Sequence, residues 1–199
     1  LNDSYYCQVE VWVRQPLSVE HPKLIQHQVD FEQLEDHHPE IQAHDVYCCL
    51  GTTIRKAGSQ EAFSKVDYTY PVEIAKLSFD QGADQFLIVS ALGADPDSSI
   101  FYNRVKGELE EAITQIGFQG LHIFRPSLLL GERLERRLTE EIGQKIFQWL
   151  SFGFKGVLKK YKAIEGRAVA AAMVEIAKGK GRGKQILESH QIQSIYDKR

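Results

Sequence analysis

The chain has 199 residues, 43% of them apolar and 26% charged, and a formal net charge of −3. That length fits one domain and leaves little room for two. The slight negative charge argues against a general nucleic-acid role, which usually needs a basic footprint. The cysteines, Cys7, Cys48 and Cys49, are odd in number and two are adjacent, which does not suit a secreted disulfide framework. All three fall in apolar, strand-like stretches and read as buried, reduced thiols of a cytoplasmic protein. No apolar run approaches the roughly 18 residues of a membrane-spanning helix. The opening residues do not read as a signal peptide.

Residues 7–14 (CQVEVWVR) alternate polar and apolar and predict a strand, and 25–30 (IQHQVD) a shorter one. Residues 45–51 (DVYCCLG) are a compact apolar run closed by glycine. Over 59–81, Phe63, Val66, Tyr70, Ile74, Leu77 and Phe79 recur near helical spacing, with Pro71 predicting a break or kink. Residues 85–91 (QFLIVSA) predict a strand. Over 98–116, Phe101, Val105, Leu109, Ala112, Ile113 and Ile116 share a helical face, with Ser98 and Ser99 as N-cap candidates and Gly117 as a stop. A strand at 120–125 (GLHIFR) and helices at 137–150 and 165–178 follow. The run Gly179–Lys184 (GKGRGK) reads as a solvated helix-to-strand turn before a last strand at 184–189.

Short apolar strands alternating with helices predict an α/β fold: a doubly wound parallel sheet of Rossmann type, three-layer α/β/α. Ligands of such sheets lie beyond the carboxyl ends of the strands. The strongest chemical constellation there is Ser90, Tyr102 and Lys106. Ser90 ends the strand FLIVS, and Tyr102 and Lys106 stand one turn apart on the following helix. A phenol with a pKa near 10 is a poor acid or base at neutral pH, and a nearby ammonium lowers that value. The Ser90 hydroxyl would hydrogen-bond a carbonyl or alcohol. The three together would move a proton on oxygen while a hydride moves on carbon. Tyr and Lys at this spacing also occur by chance on many helices.

These residues, in this order, resemble the short-chain dehydrogenase/reductases, and among them the small atypical NAD(P)-binding, Tat-interacting oxidoreductase-like group. The resemblance runs along nearly the whole chain. It rests on Val11–Arg14, Val29–Phe31, Cys49–Thr53, Ile88–Ala91, Tyr102–Lys106 and Arg125–Gly131. It implies NADP, or NAD, as cofactor. By the same resemblance Arg14 would contact the 2′-phosphate, Asp30 and Phe31 would lie beside the adenine, and Leu50, Gly51 and Thr52 would pass the ribose. Tyr102 and Lys106 would serve both cofactor and catalysis, and Pro126, Ser127 and Leu128 would pack on the nicotinamide side. Arg14 also reads as a solvated strand-end charge, Asp30 as a turn or cap residue, and Gly51 and Pro126 as chain breakers.

The family opens with a strand, a glycine-rich turn and a helix. Leu1–Ser4 look like the tail of that helix, so roughly 20–25 preceding residues are expected. The chain is then expected to be a single NAD(P)-binding domain over 1–199, with a small substrate-side portion from about 132 to 182. A small-molecule substrate is expected, with no nucleic acid and no membrane, and a homodimer is frequent among relatives. The histidines, including His37-His38, fall into no metal pattern. Ser90 lacks the G-x-S-x-G elbow of hydrolases. Three functions remain open: an NADP-preferring oxidoreductase on a small carbonyl or alcohol, a cofactor-binding sensor with little turnover, and a nucleotide-sugar epimerase or dehydratase. The stretch Phe147–Phe154 (FQWLSFGF) favours none of them.

Overall fold

The computed structural model describes residues 1–40, 42–130 and 163–199. Their strands are β1 (Val9–Val13), β2 (Leu24–Gln28), β3 (Asp45–Cys48), β4 (Gln85–Val89), β5 (Gly120–Arg125), β6 (Leu129–Leu130), β7 (Ile164–Glu165) and β8 (Gly183–Glu188). The α-helices are α1 (Ile54–Ala57), α2 (Gln60–Ser64), α3 (Tyr70–Asp80), α4 (Phe101–Thr114), α5 (Gly166–Lys178) and α6 (Ser189–Asp197). The helix expected at 137–150, the FQWLSFGF stretch and most of the substrate-side portion lie outside the described residues.

Strands β3, β4, β5 and β8 form one parallel sheet in that order, and β1 pairs in parallel with β2. The apolar run of β4 is divided between two cores because successive side chains alternate. Phe86 and Ile88, with Leu121 and Ile123 of β5, pack against Val72 and Ala75 of α3 and Leu109 and Ile113 of α4. Leu87, with Phe124 and Leu187, packs on the other face against Ala168, Val169, Ala172 and Met173 of α5 and Ile192 of α6. A sheet buried on both faces is the α/β three-layer fold.

The pair β1–β2 joins this body through a third cluster, Val29, Phe31 and Leu34, on which Trp12, Leu50, Tyr70 and Ile74 pack. Tyr6, just before β1, donates to Asp45 at the start of β3 over 2.6 Å. Among the described residues, β1 and β3 are not paired with one another.

The predicted break at Pro71 is real but takes the form of a widened turn. Lys65–Thr69 form a π-helical turn, which lets Pro71 fall in the first turn of α3, where its missing N–H costs nothing. The Ser98–Ser99 cap is not formed. Ile100 takes the N-cap position of α4, and Ser98 Oγ instead accepts the Ile100 N–H at 3.2 Å. Of the cysteines only Cys48 is buried; Cys7 and Cys49 are exposed, because they flank β1 and β3 outside the paired ladders. A 3₁₀ segment over Phe31–Glu40, the short α1 and α6 were not anticipated. Gly107 lets α4 cross the loop before it: a Cβ there would sit 2.1 Å from Pro96 N and 2.7 Å from Asp95 Cα. The GKGRGK run is the expected turn between α5 and β8, with Lys180 and Gly183 at positive φ.

Candidate active site

The carboxyl ends of β3, β4 and β5 carry a polar column built along one face of α4. Tyr102, Lys106 and Glu110 follow one another every four residues, so they stand one above the next. Lys106 Nζ lies 2.7 Å from Asp67 Oδ1 of the π-turn, with both side chains buried. The other oxygen of Asp67 accepts the Thr52 N–H at 2.8 Å, which ties the segment after β3 to α4. Gly51 sits against the same carboxylate: a Cβ built on it would be 3.5 Å from Asp67 Oδ1. Tyr102 packs its ring on Phe63, with centroids 5.7 Å apart. Burial first, and then the Asp67 charge, push the Tyr102 phenol above its usual value. Lys106, expected to work on Tyr102, is engaged by the Asp67 carboxylate.

Ser90 is buried and donates its hydroxyl proton to Glu110 Oε1 over 2.5 Å. Glu110 is in turn gripped by Arg125, the last residue of β5: Nη2 to Oε2 at 2.6 Å and Nε to Oε1 at 2.9 Å. Two charge-assisted bonds in this fork geometry fix the carboxylate in place. Ser90 therefore offers lone pairs to a ligand while its proton is held by Glu110. Beyond Arg125, Pro126 is buried and its carbonyl accepts the Leu92 N–H at 3.0 Å. The Ser127 N–H donates to Ser189 Oγ at 2.6 Å, and Leu128 is exposed.

A concavity of about 600 Å³ lies beside β1 and β2, lined by Arg14, Gln28, Val29, Asp30, Phe31, Glu32, Val66 and Tyr70. Arg14, Asp30 and Phe31 are thus brought together as the sequence grouped them. Asp30 also acts locally: its Oδ1 accepts the Glu32 N–H and its Oδ2 the Gln33 side-chain amide. Glu32 is clasped by Tyr70 at 2.6 Å and Lys65 at 2.9 Å, which hold its carboxyl below the usual range.

Sequence reasoning missed Asp67, Glu110 and Glu32. Glu110 had a signal, a charge four residues beyond Lys106 and beside the apolar stripe of Val105, Leu109 and Ile113. Asp67 had none, because its partner is 39 positions away and the π-turn that aims it is invisible to a period-3.6 pattern. Among the described residues there is no cluster of His, Cys, Asp or Glu suited to a metal ion, and no helix is long and apolar enough to cross a membrane.

A parallel sheet covered on both faces, with its polar column at the strands' carboxyl ends, is a Rossmann-type α/β domain. No protein-family profile matches the chain. The chain is 44% identical over 120 residues to protein HTATIP2 of Rattus norvegicus, covering 60% of this chain and 49% of that protein. It is 33% identical over 156 residues to mitochondrial protein FMP52-1 of Scheffersomyces stipitis, covering 76% of this chain and 69% of that protein. The chain belongs to the HTATIP2/FMP52 family. It spans about half the length of the rat relative.

Among solved structures, the UDP-glucose 4-epimerase of Thermotoga maritima superposes with a TM-score of 0.63 at 14% identity, over 96% of this chain and 74% of that one. The dTDP-glucose 4,6-dehydratase DesIV of Streptomyces venezuelae gives 0.64 at 13% identity, over 96% and 70%. At such identities these matches show the fold. The cytoplasmic placement expected from the sequence is overturned by the relatives' names, since the FMP52 proteins are designated mitochondrial.

Proposed function

We propose that the chain carries the nucleotide-binding and catalytic part of a nicotinamide-dinucleotide-dependent oxidoreductase, NADP-preferring, acting on a small carbonyl or alcohol. The observation that carries this reading is the single face of α4. It aligns Tyr102, Lys106 and Glu110 behind Ser90, at the strand ends where such sheets take their ligands. The cavity beside β1 and β2 fits the adenosine half of the cofactor. Its volume of about 600 Å³ lies in the range of small-molecule sites, roughly 300–1,000 Å³. Asp30 offers carboxylate oxygens to an amine, and the Arg14 guanidinium offers a fork to a 2′-phosphate. Structural neighbours in the same fold, DesIV among them, hold bound NAD.

The bound dinucleotide would supply or accept the hydride. Tyr102 would hold the proton exchanged with the substrate oxygen, and Phe63 would fix its ring. Lys106, tied through Asp67 to Thr52, would link the tyrosine to the ribose-side segment. Ser90, oriented by Glu110 and Arg125, would accept a hydrogen bond from the substrate hydroxyl. The mitochondrial names of the FMP52 relatives support the same compartment for this protein.

The test is NADPH consumption by the full-length protein across aldehydes, ketones and quinones, alongside dinucleotide binding. Tyr102→Phe should abolish turnover and leave binding intact; retained turnover would sink the role of Tyr102. A second reading, a dinucleotide-binding sensor with little turnover, is favoured by one fact: Ser90 and Lys106 are both already engaged by buried carboxylates. Tight binding of NADPH with no consumption across the panel would establish it.

A further inference from the structure

The π-turn that opens α3 is tied to both halves of the site at once. Across Lys65–Thr69 the Tyr70 N–H closes on the Lys65 carbonyl, so the turn is one wide hydrogen-bonded ring. Its two ends meet on a single carboxylate from the segment after β2. Glu32 accepts from Lys65 Nζ at 2.9 Å and from the Tyr70 hydroxyl at 2.6 Å. Val66, the second residue of the turn, lines the cavity beside β1 and β2. Asp67, the next, reaches Lys106 Nζ at 2.7 Å and the Thr52 N–H at 2.8 Å. Neither Thr52 nor Lys106 lines that cavity. One turn, of a kind that recurs at functional sites, therefore has residues in the cavity and in the catalytic column.

The two ends of this link differ in kind. Asp67 and Lys106 are buried, so their pair holds a fixed geometry at the active-site end. Glu32 and Lys65 are exposed, and a pair of that sort contributes little to global stability. Nor does α3 need Glu32 to stay in place, since Val72 and Ala75 anchor the helix in the core and Pro71 occupies its first turn. What the Glu32 staple does is local. It fixes both ends of the ring whose middle residue carries Asp67, and the Phe31 ring, 5.8 Å from that of Tyr70, lies beside it.

We propose that Glu32 is a positioning residue for Lys106. By holding both ends of the π-turn it makes the turn a stiff link between the cavity and the catalytic column. A ligand seated against Val66 and Tyr70 then sets the place of Asp67 and, through it, of Lys106 and Thr52. The adenosine half of a dinucleotide thus contributes to turnover as well as to binding. Interaction energy from a part of the ligand that does not react is spent on orienting the part that does. The proposal rests on the oxidoreductase reading for this kinetic consequence, and on the staple alone for the link.

The experiment is amide hydrogen exchange of the full-length protein, read at Thr52, with adenosine 2′,5′-bisphosphate as the probe. The variants are Glu32→Gln, which drops the charge, and Tyr70→Phe, which removes one leg of the staple and keeps the ring. Without the probe, each should speed exchange at Thr52 by roughly two- to fivefold and leave β4 and β5 unchanged. A Thr52 amide that does not respond overturns the proposal, as does a rise shared equally by β4 and β5. With the probe, wild-type Thr52 should be protected about fivefold or more. In the variants that protection should be lost while the Val29 amide, bonded to the Val13 carbonyl beside the cavity, keeps its own. Protection of Val29 without Thr52 in wild type also overturns it. At saturating NADPH, Tyr70→Phe should lower kcat about tenfold whatever happens to KM, and a raised KM with full kcat would refute the link. The two readings fail separately. A probe that does not bind, with Thr52 still freed by the variants, removes the cofactor reading and leaves the role of Glu32. NADPH turnover with an unmoved Thr52 removes that role and leaves the enzyme.

Discussion

Replacing Glu110 by Met keeps the length and apolar stem of the side chain and deletes both carboxylate oxygens. Glu110 is 3% exposed, and it is the acceptor for Arg125 Nε and Nη2 and for the Ser90 hydroxyl. Removing one partner of a buried pair costs about 3–5 kcal/mol, because the other charge stays buried and unmatched. The Arg125 side chain is 23% exposed and regains some water, which puts the ion-pair loss near the low end. The stranded Ser90 hydroxyl adds about 1 kcal/mol. The expected total is about 4 kcal/mol, and with a urea slope near 2 kcal/mol/M the midpoint falls by about 2 M. Adding Arg125→Met removes the unmatched charge, so the double variant should recover most of that loss. Urea unfolding followed by circular dichroism reads both. A single variant costing under about 1 kcal/mol, or a double whose loss is the sum of its parts, would refute the claim that Glu110 is the hub of this network.

Gly107→Ala places a methyl group against the Asp95–Pro96 backbone, which cannot step aside as a flexible side chain would. A cost of about 3 kcal/mol is expected, or roughly 6–12 °C in thermal midpoint for a chain of this size, and an unchanged melting curve would contradict it. His122 is fully buried and its burial holds the imidazole below its ordinary value of 6.5. The unfolded chain therefore binds the extra proton first, and this contribution to stability is whole above pH 6.5 and drains as pH falls towards the depressed folded value. Urea midpoints at pH 7.5 and about 5 should diverge more in wild type than in His122→Asn, and equal divergence would count against it. The Cys48 thiol is pushed up to about 12 by burial, so iodoacetamide at pH about 8 should spare it while labelling exposed Cys7. Peptide mapping of the native protein checks this, and equal labelling would contradict the burial. Arg14→Ala should weaken NADP about tenfold or more and NAD much less, in a fluorescence titration. Parallel losses for the two cofactors would remove the 2′-phosphate role.

The central strands were legible because burial on two faces leaves a continuous apolar word such as FLIV, which few other structures need. The turn residues around Gly117 and Gly183 were legible for a different reason, their positive φ. The caps were less so. Ser98 looked like an N-cap, yet the loop over Asp95–Pro96 sets where α4 begins, and that constraint comes from Gly107 nine positions later. Short elements such as α1 and α6 carry too few residues for a period to show. In the site, Tyr102 and Lys106 announced themselves by spacing. Their partners did not, since a carboxylate in a helix reads as solvated surface until tertiary packing buries it.

The division between the β1–β2 pair and the four-stranded sheet has a consequence for how ligand energy is used. The cavity takes Arg14, Gln28, Asp30 and Phe31 from around the small sheet, and Val66 and Tyr70 from the helical stretch that packs on the large one. A molecule seated there is a cross-tie between two hydrogen-bonded units that share no ladder among the described residues. Part of its interaction energy would then appear as slower amide exchange in β1 and β2, and only the remainder as measured affinity.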